Sequence, residues 1–285
     1  MSLFDRIRRL GDPEDRAATW RRIGAFLAAQ CPPAARRRAA AAFGRLERAR
    51  AGDAAALEAL RAAVGPPPAA PPPRAGAGRQ ASRLADVEQE LALVKGGMHG
   101  GFCYLDLGCA EGRITAALAG ELGLPPGRAH ACDVAPCPQA AQAAAFTFAR
   151  NEPGALPYPD ASFDLITMFM SAHHFADAAA VFREARRVAR PGARLLIREH
   201  DCASEGDGLY YDAVHALYEC VLGAESTPAA FAQKYAAGAY ARYRGAAGWV
   251  ALAGECGFDL EAGPHGPRNG RDRFDSFYAL FVARP

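Results

Sequence analysis

The residues best placed to do chemistry lie in the run Tyr104-Leu105-Asp106-Leu107-Gly108-Cys109-Ala110-Glu111-Gly112-Arg113-Ile114-Thr115. An apolar stretch ends in a turn of small residues, and a helix-forming stretch follows. Gly108 and Gly112 let the backbone approach a ligand closely. A dinucleotide site aims such a turn, and the helix behind it, at a pyrophosphate. Here Asp106 stands two residues before the first glycine. A carboxylate in that place repels a pyrophosphate and suits a cationic or amino-acid ligand. Asp133 ends the next apolar stretch, Ala129–Asp133, 21 residues after Gly112. An acidic side chain there can accept hydrogen bonds from two ribose hydroxyls; an ordinary strand-end cap is the plainer alternative. A third group is Arg198-Glu199-His200-Asp201, directly after the apolar Leu195-Leu196-Ile197. His200 is the first choice for a general base, because imidazole titrates near neutral pH. Glu199 lies beside it, and His173 and His174 compete for the same role. A salt-bridged strand end explains the group equally well.

These residues need a scaffold that brings distant loops together. After a helix over Ser82–Lys95, stopped by Gly96-Gly97, strands and helices alternate. The pattern predicts strands at Phe102–Leu107, Ala129–Asp133, Phe146–Phe148, Phe163–Phe169 and Arg194–Glu199. It predicts helices at Arg113–Leu122, Gln139–Ala145 and Ala176–Ala189. Such alternation implies parallel strands with crossover helices. Pro191-Gly192 is expected to stop the last of these helices. Further on come helices at Leu209–Leu222, within Thr227–Arg244 and at Gly248–Cys256. Strands then begin at Gly257 and at Ser276, joined by a Gly/Pro-rich loop over Gly263–Arg273 that favours an antiparallel last strand. The expected fold is therefore α/β, a doubly wound, mostly parallel seven-stranded sheet with an antiparallel last strand. A small helical region precedes it. The division is a basic helical region at 1–65, a Pro/Ala/Gly-rich linker at 66–80 and a Rossmann-like domain at 81–285. Asp53 is expected to cap the third N-terminal helix. Tyr210, Tyr211, Tyr218, Tyr235, Tyr240, Tyr243 and Trp249 read chiefly as packing residues and less as a stacking surface.

The run from Asp106 to Gly112 resembles motif I of the class I, Rossmann-like S-adenosylmethionine-dependent methyltransferases. Ala110 stands where many members have glycine. A second stretch, Asn151-Glu152-Pro153-Gly154-Ala155-Leu156-Pro157-Tyr158-Pro159-Asp160-Ala161-Ser162-Phe163-Asp164, resembles the family's acid followed by Leu-Pro-Phe-x-Asp-x-Ser-Phe-Asp. Arg187-Val188-Ala189-Arg190-Pro191-Gly192 resembles its Arg-Val-Leu-x-Pro-Gly segment. The resemblance covers about residues 100–283. It implies that S-adenosyl-L-methionine is held by Asp106, Gly108, Ala110, Gly112 and Asp133, with Asn151 or Glu152 at the adenine. It leaves His200, Glu199 and His174 on the acceptor side. The Arg198–Asp201 ending is also similar to that of methyltransferases of large DNA viruses. Ribose methyltransferases can carry Ala at the place of Ala110, but they need two lysines and two acids around the acceptor; Lys95 and Lys234 are the only lysines here, and the fifth strand ends in Arg-Glu-His-Asp and not in Lys. A nicotinamide-dependent oxidoreductase and a non-catalytic binding module are the alternatives; Asp106 and the Leu-Pro-Tyr-Pro-Asp segment speak against the first.

Composition narrows the rest. Over 285 residues, 51% are hydrophobic, ample for a core. No uncharged apolar run reaches the length of a membrane span, and the N-terminus lacks a secretory pattern. An intracellular, cytoplasmic setting is expected. Eight cysteines form no C-x-x-C pair, so reduced thiols and no metal are expected. Residues 1–80 hold fifteen Arg against seven acidic residues, while the remainder is net acidic. A basic arm could meet nucleic acid or an acidic partner, although an Arg-rich codon bias gives the same composition.

Overall fold

The computed structural model describes residues 1–48, 51–65, 81–137, 145–223, 226–238, 240–267 and 276–285. The linker at 66–80, all but the last residue of the expected helix at 139–145, and residues 268–273 of the expected loop lie outside the described residues.

The chain opens with four helices: α1 (Leu3–Arg8), α2 (Pro13–Gln30), α3 (Arg36–Arg48) and α4 (Asp53–Val64). Helical backbone resumes at residue 81, is interrupted at Val87, and continues as α5 (Glu88–Gly96). Then come β1 (Tyr104–Leu107), α6 (Arg113–Glu121), β2 (Ala129–Asp133), β3 (Thr147–Arg150), β4 (Phe163–Phe169), α7 (Ala178–Val188) and β5 (Ala189–His200). Helices α8 (Glu205–Ala216), α9 (Pro228–Ala236) and α10 (Ala246–Glu255) precede β6 (Phe258–His265) and β7 (Ser276–Ala283). A π-helical turn, Leu217–Leu222, extends α8.

The seven strands form one sheet in the order β3-β2-β1-β4-β5-β7-β6. β1 to β5 pair in parallel, and β7 runs antiparallel to both β5 and β6. This is the expected doubly wound sheet with a reversed last strand. The order reverses between β1 and β4, which is where a ligand crevice opens in such sheets. Alternation of side chains along each strand makes two apolar layers. On one face Leu105, Leu107, Met168, Leu195 and Ile197 pack with Phe182 and Val188 of α7 and Trp249 of α10. On the other, Tyr104, Leu165, Leu196, Tyr278 and Leu280 pack with Leu91 and Val94 of α5 and Leu118 of α6.

Two compact units share the chain. The sheet unit comprises Pro73–Asp201 and Arg242–Pro285; the helical unit comprises Met1–Pro72 and Cys202–Ala241. Residues 202–241 thus group with the N-terminal helices, where sequence had assigned them to the sheet domain. Within the helical unit, polar contacts fasten that insertion to α2. Asp15 accepts from the Gly206 N–H at 3.1 Å and the Ser204 hydroxyl at 3.2 Å. Arg22 pairs with Asp207 and lies 4.0 Å over the Tyr210 ring. Asp53 departs from its expected role. Gly52 is the N-cap of α4, and the buried Asp53 carboxylate instead accepts the Leu3 and Phe4 N–H groups at 2.6 and 3.1 Å. It caps α1, whose first N–H groups have no helical partner. The aromatic residues after β5 are packing residues: Tyr211, Tyr240 and Trp249 are buried, while Tyr218 is exposed.

Candidate active site

β1 delivers Asp106 into the interior, 2% exposed. Its oxygens accept hydroxyl hydrogen bonds from Thr115 on α6 and Thr167 on β4, each at 2.6 Å. Burial leaves the carboxyl raised from its ordinary value despite those two donors, and the charge of Asp133 adds to the rise. Asp106 therefore ties three elements together beneath the glycine turn. The turn has left-handed backbone at Gly108 (φ 73°), Ala110 (φ 47°) and Gly112 (φ 70°). A Cβ at Gly108 would stand 2.5 Å from the Ser171 Cβ, and one at Gly112 would enter the Phe146 ring. Both glycines are thus required by close packing of the turn on its neighbours. Ser171 closes the other side, its hydroxyl donating to the Leu107 carbonyl at 2.9 Å. Cys109 is buried, and burial pushes its thiol far above the ordinary range, so it stays a protonated packing group.

Asp133, at the carboxyl end of β2, accepts the Ala110 N–H and the Ala135 N–H, each at 2.9 Å. It grips the turn and its carboxylate edge remains part-exposed. Val134 beside it is 48% exposed, an apolar side chain at the crevice. The Asn151 N–H donates to the Asp133 carbonyl at 3.2 Å, bringing the end of β3 alongside. Glu152 is exposed, in a one-bridge turn with Ala155. The only charged side chains of the turn, Glu111 and Arg113, pair with each other at 2.7 Å. This donor set fits a nucleoside with a cationic tail. Asp133 and Glu152 could accept ribose hydroxyls, Val134 offers an apolar contact, and the turn's charged residues, Glu111 and Arg113, are paired with each other.

At the carboxyl end of β5 the structure gathers His173, Glu199, His200 and Tyr243. Glu199 is fully buried; its Oε2 lies 2.6 Å from His173 Nδ1, and its Oε1 accepts the Ala172 N–H at 2.7 Å. Burial alone would raise this carboxyl. The charge and hydrogen bond of His173, with His200 and the Ala172 N–H, outweigh burial and hold it below its ordinary value. His200 is buried, its ring centroid 5.1 Å from that of His173. The Tyr243 ring stacks on His173 at 5.3 Å and meets His200 edge-on at 5.6 Å. His174 is exposed, and its ring centroid lies 4.1 Å from that of His173. His173, and not His174, is therefore the histidine that Glu199 holds. Arg198 is buried over the Tyr278 ring at 5.6 Å, and Asp201 accepts the Ala246 N–H at 2.8 Å. Sequence reasoning missed Val134 and underrated His173. An apolar residue directly after a strand-end acid was a usable signal for the first; nothing local distinguished the second.

The topology and the turn at its switch point define a Rossmann-like architecture. Residues 105–197, about a third of the chain, match the family described as methyltransferase domain. A 58-residue segment is 47% identical to 27-O-demethylrifamycin SV methyltransferase of Amycolatopsis mediterranei, covering 20% of this chain and 21% of that one. A 63-residue segment is 41% identical to demethylmenaquinone methyltransferase of Deinococcus radiodurans, covering 22% and 25%. A 91-residue segment is 33% identical to the uncharacterized protein YafE of Escherichia coli, covering 32% and 42%. The matched segments thus span between about a fifth and two fifths of these relatives. A SAM-dependent methyltransferase structure from Aquifex aeolicus superposes with a TM-score of 0.48 at 17% identity, over 71% of this chain and 93% of that one. Among the described residues no helix is long and apolar enough to cross a membrane, and none of the eight cysteines is joined in a disulfide.

Proposed function

We propose that this chain binds S-adenosylmethionine over the carboxyl ends of β1, β2 and β4 and catalyses methyl transfer to an acceptor. The observation that carries this reading is the Gly108–Gly112 turn at the switch point, gripped by Asp133 within the segment that matches a methyltransferase domain. When bound, the cofactor supplies a methyl group already activated by its sulfonium. The protein's task is then mainly positioning. Asp133 accepts the ribose hydroxyls, Val134 lies against the base, and Asn151 or Glu152 meets its amino group. Asp106 acts from behind the turn, through its two threonine hydroxyls. The acceptor approaches the His173, Glu199 and His200 group, the wall to which the likeness to viral enzymes belongs; that likeness does not define the acceptor. The basic residues of 1–80 are offered to an anionic partner, and the setting is intracellular.

Calorimetric titration with S-adenosylmethionine tests the reading. The wild type is expected to bind saturably, and Asp133→Ala at least tenfold more weakly. Saturable binding of a nicotinamide dinucleotide, with none of S-adenosylmethionine, would replace this reading with the oxidoreductase alternative. Binding without any methyl transfer across acceptor classes would favour the non-catalytic module.

A further inference from the structure

The His173, Glu199 and His200 group has the construction of a metal seat, although the sequence carries no metal-binding motif. We propose that His173 and His200 together hold a divalent transition metal, with Glu199 as the buried carboxylate that orients His173. Three observations support it. First, the ligand nitrogens of His173 and His200 lie within 4.8 Å of one another, a separation that small ring rotations bring onto one ion. Second, His173 Nδ1 is engaged by Glu199 Oε2 at 2.6 Å. A metal-binding imidazole commonly donates one ring N–H to a carboxylate, which fixes the tautomer and presents the other nitrogen as ligand. Third, the carboxylate is secured for that task. Glu199 is 0% exposed, and it receives the Ala172 N–H at 2.7 Å and the His200 N–H at 3.3 Å. Tyr243 stacks on His173 and meets His200 edge-on, giving the pair an aromatic side.

Two imidazoles suit zinc, iron, cobalt or nickel better than magnesium or calcium, which prefer oxygen ligands. The remaining coordination positions go to water and to an oxygen of the acceptor. A metal there would lower the pKa of a bound acceptor hydroxyl, whose proton leaves to water; the O–CH3 bond would then form as the sulfonium's S–CH3 bond breaks and the cofactor departs as a neutral thioether. This use of the metal rests on the methyl-transfer reading and names the acceptor class as a hydroxyl compound. The seat itself does not rest on it.

The test uses full-length, tag-free protein, stripped with chelator and dialysed. It is titrated with zinc chloride by calorimetry, and with cobalt(II) by visible absorption. One equivalent is expected to bind the wild type. His173→Ala and His200→Ala are expected to weaken binding at least 100-fold, and Glu199→Gln about 10- to 100-fold. His173→Gln and His200→Gln, with thermal melts, serve where an alanine variant does not fold. Absence of binding to the wild type overturns the proposal. So does uptake unchanged in both folded histidine variants, which would assign the metal to the thiols. S-adenosylmethionine titrated in parallel separates the two readings: its binding by protein that takes no metal removes the seat alone, and metal uptake without cofactor binding removes the methyl-transfer reading alone.

Discussion

Asp106 and Glu199 are buried carboxylates with opposite titration behaviour, and their partners explain why. Among the described residues Asp106 has neutral hydroxyl donors, Thr115 and Thr167, and burial outweighs them, so its carboxyl is raised. Glu199 has an imidazole, which overrides burial and lowers it. A carboxyl lowered in the folded state contributes stability above its unfolded value, and that stability is lost as pH falls through the folded value. Thermal melts of wild type and Glu199→Gln should therefore differ most near neutral pH, and the gap should close below about pH 4. A gap independent of pH would show that the carboxylate does not interact with a charged ring. Removing one donor to Asp106 leaves a buried acceptor short of a partner, which costs about 1–3 kcal/mol. Thr167→Val should lower stability by that amount, and chemical denaturation measures it. Gly108→Ala adds both a left-handed strain and a Cβ 2.5 Å from Ser171. It should cost about 1–3 kcal/mol and weaken S-adenosylmethionine binding more than tenfold by calorimetry. The glycine turn was legible because its chemistry is local. The His173–Glu199 pair was not, because it depends on register. Phe169 pairs with Arg198, so Glu199 faces the side of Leu195 and Ile197, and the short 3₁₀ turn Ala172–His174 then decides which of two adjacent histidines points inward.

Among the elements, long periodic runs were read closely and their ends were not. β4 has the expected bounds, and α6 ends one residue early. The larger departure is at Pro191-Gly192. Helix α7 ends at Val188, and β5 already begins at Ala189, which pairs with Phe163. A residue before proline disfavours helical backbone, so Arg190 is extended and the proline lies inside the strand. Asp53 shows the same limit from another side. A residue suited to N-capping was recognised, but the helix it caps is some fifty residues earlier in the chain. Asp53→Ala removes the acceptor for two N–H groups of α1. It should cost about 1–2 kcal/mol, with the loss of protection confined in hydrogen exchange to the amides of Leu3–Ile7.

At the scale of the molecule, the consequential finding is that residues 202–241 belong with the N-terminal helices. Sequence order separates them by about 130 residues, and hydrophobic periodicity carries no information on which amphipathic helices share a core. The grouping changes how the basic N-terminus is to be studied. Removing residues 1–65 would take away Asp15 and Arg22, and with them the partners of Gly206, Ser204, Asp207 and Tyr210. It would also uncover Leu209, Tyr211, Val214, Leu217 and Phe231, all buried within the same unit. Limited proteolysis of the shortened protein is therefore expected to cut first within 202–241, at sites protected in the full chain. Protection unchanged by the deletion would mean that the insertion folds without the N-terminal helices. Because the deletion disturbs this unit, it is a poor probe of partner recruitment. Arg37, Arg45 and Arg48 are exposed on α3, and at helical spacing they share one face. Changing all three to Glu should leave the thermal melt within a few degrees of wild type, since exposed charges contribute little to stability. If this face meets an anionic partner such as RNA, the same variant should abolish salt-sensitive binding to it. Equal RNA binding by both proteins across a salt series would leave α3 a solvated face.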